Sequence, residues 1–253
     1  MSIKIILNNS GPIYPGTLLQ GTVQCHFQSR TDVRSIKIRC YGKEHTQWTT
    51  GGKHKHHYSG THYFYQMETK LFEPETSYME VGSYSYPFTF LLPMNIASVL
   101  EFPYGYIRHS LKGIIDIPLA IDPRERLDLN VISVIDINTL PSNLRQPFQA
   151  VDQALTGCCF CFDFDPVRMN AQINKRVFIP GETIKINMEI QNMSGDSVTE
   201  FIVKLVRCFV AHSETPRHDT RTVNEDLLVQ KLGGVGGHGK RVSFQKIHEF
   251  ILI

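Results

Sequence analysis

The run Ile13-Tyr14-Pro15-Gly16-Thr17-Leu18-Leu19-Gln20 returns as Phe178-Ile179-Pro180-Gly181-Glu182-Thr183-Ile184-Lys185, 165 positions on by its proline. Proline presets φ and glycine accepts φ > 0, so the pair fixes a tight turn at the mouth of a strand. A strand-like alternation follows each copy, and Arg39-Cys40-Tyr41 is echoed in the same order by Arg207-Cys208-Phe209. An offset of this size is one domain, not a solenoid repeat. The 253 residues therefore read as one sandwich-sized unit made twice.

Leu19, Gly21, Val23, Cys25 and Phe27 alternate with polar or small residues, as do Ile36, Ile38 and Cys40, and Ile107, His109, Leu111, Gly113 and Ile115. A two-residue apolar period is that of a half-buried strand. Residues 129–137 are rich in β-branched side chains and read as a further strand. Turn signals at Pro15-Gly16, Gly51-Gly52, Pro180-Gly181 and Ser194-Gly195 recur at sandwich-like intervals. Only 94–100 and 149–155 read as short helices. The fold class is all-β, with tandem immunoglobulin-like β-sandwiches. Pro141 and Pro147 break the strand period. That places a first domain at 1–143, a linker at 144–165 and a second domain at 166–253. The second is shorter than the first and closes on apolar Phe250-Ile251-Leu252-Ile253, so its sandwich is expected to be incomplete.

Composition excludes several classes. The chain is 42% apolar and 20% charged with a net charge of +2, which gives no strong field for nucleic acid but leaves room for a local basic patch against a membrane. No apolar run reaches the ~18–20 residues that span a bilayer. The first ten residues lack the apolar stretch and cleavage site of a secretory signal. A cytosolic protein is expected, with its six cysteines reduced and the sequons at Asn8 and Asn192 unused.

Motifs with chemical content are few. Gly234-Val235-Gly236-Gly237-His238-Gly239-Lys240-Arg241 approaches a phosphate-binding loop, but Arg241 replaces the hydroxyl that holds Mg²⁺. A strand pattern, Val242-Ser243-Phe244, follows where the motif needs a helix N-terminus, so a hairpin loop is expected. His54, His56, His57 and His62 could ligate zinc, yet Lys53 and Lys55 repel a divalent cation and the flanking glycines mark a hairpin tip. No metal or cofactor is expected. Cys158, Cys159 and Cys161 lack the helix that thioredoxin-type chemistry needs, and are candidates for reversible palmitoylation. Arg108 and Asp116 share strand parity but stand ~26 Å apart along one strand, so each is expected to pair elsewhere. Scattered Ser, His and Asp form no nucleophile elbow or zincin pattern, and no enzyme is expected.

The run Tyr86-Pro87-Phe88-Thr89-Phe90-Leu91-Leu92-Pro93, then Phe102-Pro103-Tyr104-Gly105-Tyr106-Ile107-Arg108 and finally Asp116-Ile117-Pro118, resembles the α-arrestins, the arrestin domain-containing proteins. Cys158-Cys159-Phe160-Cys161 ahead of Pro166-Val167 is similar to their interdomain segment. Ile117, His109 and Asp165 depart from the family's usual arginine, tyrosine and glycine. The resemblance covers essentially the whole chain and implies tandem arrestin-like sandwiches. It also implies that Pro15, Gly16, Pro93, Tyr104, Gly105, Arg108, Asp116, Pro118, Pro180 and Gly181 are structural signature positions. The implied function is a non-enzymatic trafficking adaptor. It would bind membrane cargo, receptors or transporters, for ubiquitin-dependent endocytosis through a HECT-type ubiquitin ligase. The ligase-binding Pro-Pro-x-Tyr motif does not occur in these residues. Two alternatives stand beside it: a thioredoxin-binding regulator acting through Cys208, which its strand context places in a buried position, and a nucleotide-binding enzyme using the glycine loop.

Overall fold

In the first half of the chain, alternation in sequence becomes alternation in burial. The computed structural model describes residues 1–9, 11–52, 54–155, 166–179 and 181–249. The chain runs through β1 (Ser2–Leu7), β2 (Leu18–Phe27), β3 (Thr31–Asp32), β4 (Ser35–Thr50), β5 (His56–Phe72), β6 (Tyr78–Met79), β7 (Gly82–Leu91), β8 (Leu100–Phe102), β9 (Gly105–Asp116) and β10 (Arg124–Leu129). It continues with β11 (Phe148–Leu155), β12 (Pro166–Ile173), β13 (Thr183–Asn192), β14 (Val198–Ser213), β15 (Asp219–Val235) and β16 (Lys240–Glu249). Two compact units result, Met1–Val134 with Cys208–Asn224, and Ile135–Arg207 with Glu225–Ile253.

The first unit is a sandwich. One sheet has the order β1-β2-β7 and the other β10-β9-β4-β5, with β8 added to β9. Every second residue of β2 from Leu19 to Phe27 is buried. Leu19, Val23, Cys25, Phe27, Phe88 and Phe90 from one sheet meet Ile36, Ile38, Cys40, Leu111 and Ile115 from the other in one core. That is the arrangement that two half-apolar sheets need in order to leave water.

The second unit repeats the plan. β13 lies between β12 and β16 as β2 lies between β1 and β7, all antiparallel. β4 and β14 are both 16 residues long, and β5 and β15 are both 17. The repeated turn is the same object twice. Thr17 N–H donates to the Tyr14 carbonyl at 3.1 Å, and Glu182 N–H to the Ile179 carbonyl at 3.0 Å. Gly16 and Gly181 sit at φ +75° and +85°, as the third position of a type II turn requires. The core here is smaller among the described residues: Val167, Ile190 and Val235, flanked by Val198, Phe201, Val242 and Phe244.

Three expectations differ from the structure. Residues 149–155 are strand β11, hydrogen-bonded to β12 from Phe148↔Ile173 onward, and not a helix. Residues 148–154 are all exposed, so this edge strand has no buried face to write a two-residue pattern. β11 lies within residues 144–165, and the leading portion of the first compact unit ends at Val134. Residues 94–99 are irregular, not helical, with a bend at Met94–Asn95, and Leu100 opens β8, because Ile96 drops into the core and the backbone engages a neighbouring segment, Val99 N–H donating to the Val131 carbonyl at 3.0 Å. The strand expected over 129–137 stops at Leu129. Beyond it Val131 makes a parallel bridge to Ile13, and 137–139 turn as a 3-10 helix.

Candidate interaction site

β9 carries the signature residues, and its two faces have different tasks. His109, Leu111, Gly113 and Ile115 face the core, while Arg108, Ser110, Lys112, Ile114 and Asp116 share the other side. Arg108 donates to Glu101 at 2.6 Å and lies 4.0 Å over the Tyr106 ring. Asp116, at the far end of the strand, accepts from Lys37 at 3.0 Å and stands 3.5 Å from Arg34. The two signature charges therefore serve different neighbours, as strand geometry demands.

His109 is fully buried. Its Nε2 lies 2.8 Å from the Ala97 carbonyl and its Nδ1 3.1 Å from the Tyr65 hydroxyl. A carbonyl only accepts, so Nε2 carries the proton and Nδ1 accepts from Tyr65. Burial holds the imidazole pKa below its ordinary value and raises that of the Tyr65 phenol. The same desolvation pushes the Cys40 thiol up to about 12 and Cys25 to about 11. These thiols remain protonated at neutral pH and act as small apolar groups.

At the open end of the same sheet lies a cavity of about 260 Å³, entirely within the first unit. Leu100, Phe102, Ile107, Phe209 and Val210 supply its apolar surface, and Glu44, His62, His212 and Glu214 its ionisable rim. Phe102 stacks on Phe209 with centroids 5.3 Å apart. Behind it, Trp48 stacks on Tyr58 at 5.4 Å and both are buried with Ala211. The tip of the β14–β15 hairpin is fixed there by backbone bonds: Ser59 donates to the Thr215 carbonyl at 2.9 Å and accepts from Glu214 at 2.9 Å. Thr46 Oγ1 donates to the His212 carbonyl. An apolar floor with a polar rim is suited to holding one or two side chains of a partner. No nucleophile–base hydrogen bond is formed among its lining residues in the described structure.

The other candidate residues fall where local chemistry puts them. The Gly16 N–H donates to the Pro93 carbonyl at 3.3 Å, joining two signature positions. Tyr104 meets Trp48 edge-on, with ring centroids 6.4 Å apart. Gly105 opens β9 opposite Thr46, and Pro118 follows its end. Pro180, Cys158, Cys159 and Cys161 lie outside the described residues. His54, His56 and His57 are exposed at the β4–β5 hairpin end, and among the described residues no group of three or more His, Cys, Asp or Glu is placed to hold a metal. The glycine loop is the β15–β16 hairpin turn: His238 donates to the Ser194 carbonyl and Gly239 to that of Asn192, both at 2.7 Å, and strand β16 follows. Phosphates would meet no helix N-terminus there.

Cys208 corrects an expectation. It is exposed and lines the cavity, whereas its sequence echo Cys40 is buried. Cys40 is covered by the facing sheet, while the matching side of β14, with Val206 and Val210 41% and 48% exposed, has no such cover among the described residues. Strand parity alone gives no sign that Phe209 meets Phe102.

Comparison with known proteins agrees with this architecture. Residues 3–138 match the family model for the arrestin (or S-antigen) N-terminal domain, and residues 164–249 that for the arrestin C-terminal domain. Arrestin domain-containing protein 17 of Caenorhabditis elegans is 26% identical over 211 residues, covering 78% of this chain and 49% of the relative. Human arrestin domain-containing protein 1 is 24% identical over 236 residues, covering 88% and 50%. Mouse arrestin domain-containing protein 4 is 30% identical over 118 residues, covering 46% and 28%. The chain thus spans about half the length, or less, of these curated relatives.

Proposed function

Because the chain belongs to the arrestin family, in its arrestin domain-containing (α-arrestin) branch, we propose that it is a non-enzymatic adaptor that selects membrane cargo, receptors or transporters, for ubiquitin-dependent endocytosis. The supporting observation is the cavity at the end of the first sandwich, which offers stacked aromatics and an ionisable rim but no reactive constellation. Work of this kind is done by surface complementarity and by strand addition at sheet edges, without bond chemistry. The adaptor would act on the cytoplasmic side of plasma and endosomal membranes. A HECT-type ubiquitin ligase is the enzyme it would serve. Proximity labelling from the expressed chain is expected to recover receptors or transporters with sorting factors, and a Phe102→Ala, Phe209→Ala double variant to lose most of that set. A purely nuclear or metabolic set would overturn the reading.

The exposure of Cys208 supports a second reading, a thioredoxin-binding regulator. The Cys208 thiolate would attack the disulfide of oxidised thioredoxin, forming a mixed disulfide and releasing the other thioredoxin sulfur as thiolate. Mass spectrometry of the two proteins mixed is the test. A mixed-disulfide species that disappears in Cys208→Ser supports it, and its absence in the parent chain ends it.

A further inference from the structure

Twice in this chain a turn proline is followed by glycine, at φ +75° for Gly16 and +85° for Gly181. The loop between β9 and β10 breaks that habit. Pro118 is followed by Leu119, and Leu119 takes φ +54°. A bulky side chain in the left-handed region is strained, and such strain persists only where the surrounding structure holds it. Glycine or asparagine would fit the same backbone with less strain. The result is exposure. Leu119 is 103% exposed and Ile121 94%, more than any other large apolar side chain among the described residues. Ala120 between them is exposed as well.

The base of this loop is tied down. Asp122 Oδ1 accepts from the Ile117 N–H at 3.1 Å and its Oδ2 from Arg124 at 3.3 Å, so one carboxylate joins the two ends of the loop. The Pro123 carbonyl accepts from the Ile115 N–H at 3.1 Å, and the Asp116 carbonyl from the Arg34 N–H at 2.8 Å. Ile117 packs against the core of the first sandwich. A single exposed leucine on a protein surface is ordinary. A strained and braced aliphatic pair at a loop tip is not, because its water contact is unfavourable until something covers it.

We propose that residues 118–121 form a membrane-insertion loop, which dips Leu119 and Ile121 into the boundary between headgroups and acyl chains of a lipid bilayer. Shape decides between a bilayer and a protein as the occupant. A tip that projects on every side needs a matching pocket in a protein partner, whereas a bilayer accepts it without complementarity. The bracing means that little ordering entropy is lost on insertion. At the root of the loop, Arg34, Lys37 and Arg124 stand against Asp116 and Asp122, three cations to two carboxylates. That balance does not repel an anionic leaflet. Insertion needs neither cargo nor ligase, so it stands independently of the adaptor reading.

Flotation of the whole purified chain with vesicles of phosphatidylcholine and phosphatidylserine tests the loop. The parent chain is expected to float. The Leu119→Ser, Ile121→Ser double variant is expected to bind at least ~10-fold more weakly, since both aliphatic transfers are lost. Leu119→Asn separates binding from folding: asparagine tolerates the left-handed φ, so Tm is expected not to fall while vesicle binding does. Depth is read from Ile121→Trp, whose added emission is expected to be quenched by lipids brominated on their acyl chains, while buried Trp48 of the parent chain is not. A parent chain that stays in the aqueous fraction overturns the proposal and leaves a protein partner to cover the loop. Equal flotation of parent and double variant overturns it too, by placing the attachment elsewhere on the surface.

Discussion

At the scale of single residues, the buried imidazole of His109 makes the first sandwich sensitive to acid. Burial keeps its folded pKa below the ordinary 6.5, so the unfolded chain takes up the proton more readily. The stability it contributes is full above that ordinary value, and falls as pH drops through it towards the folded pKa. Urea denaturation is expected to show this loss between ~pH 7.5 and ~pH 5. His109→Phe should flatten that limb, yet cost about 1–3 kcal/mol at neutral pH, since Tyr65 and Ala97 lose a buried partner. An unchanged slope in the variant would assign the acid sensitivity to another group. Gly42 belongs to the same arrangement: a Cβ there would stand 2.4 Å from His109 Nδ1 and 2.6 Å from the Tyr65 ring. The inward parity of His109 is legible in the sequence. Its partners, 12 and 44 positions away, are not, because hydrogen bonds to a connecting segment and to a next-but-one strand of the same sheet leave no periodic trace.

At the scale of elements, the two Pro-Gly turns allow a matched comparison. Alanine at either glycine must adopt a left-handed φ, which costs about 1–2 kcal/mol. At Gly181 an added Cβ meets nothing within 4 Å, whereas at Gly16 it comes within 2.3 Å of the Met94 sulfur. Gly16→Ala is therefore expected to lower stability more than Gly181→Ala, measured by chemical denaturation of each. Equal losses would mean that the Met94 side chain moves aside freely. Strands β2, β4 and β9 were legible because each buries one face and so alternates in sequence. β11 was not, since an edge strand exposed on both sides is held by backbone bonds to β12, and backbone bonds do not select side chains. Residues 94–100 misled for a different reason: Ile96 drops into the core while Met94 and Val99 stay exposed, so their apolar spacing marks no helix face.

At the scale of the molecule, the two copies share a plan but differ in their interiors. Val23, Phe27, Ile36, Ile38, Leu111 and Ile115 are completely sequestered in the first, while the second has Ile190 as its most buried apolar side chain among the described residues. Hydrogen exchange is expected to be slower along β2 than along its counterpart β13, and the amides of 208–224 are expected to follow the first unit. Uniform protection in both copies would contradict this. The duplication itself was legible, because a Pro-Gly turn and an Arg-Cys-aromatic triplet return in order. The distal cavity was not, because it gathers residues 44–62, 100–107 and 208–214, which no local pattern connects. The distribution of the first unit over 1–134 and 208–224 also has a consequence in time. During synthesis at about 5–20 residues per second, the ribosome has still to deliver the second portion after Val134 emerges. Trp48 and Tyr58 then wait on the order of ten seconds for their cover, a window in which a nascent-chain chaperone meets bare aromatic rings.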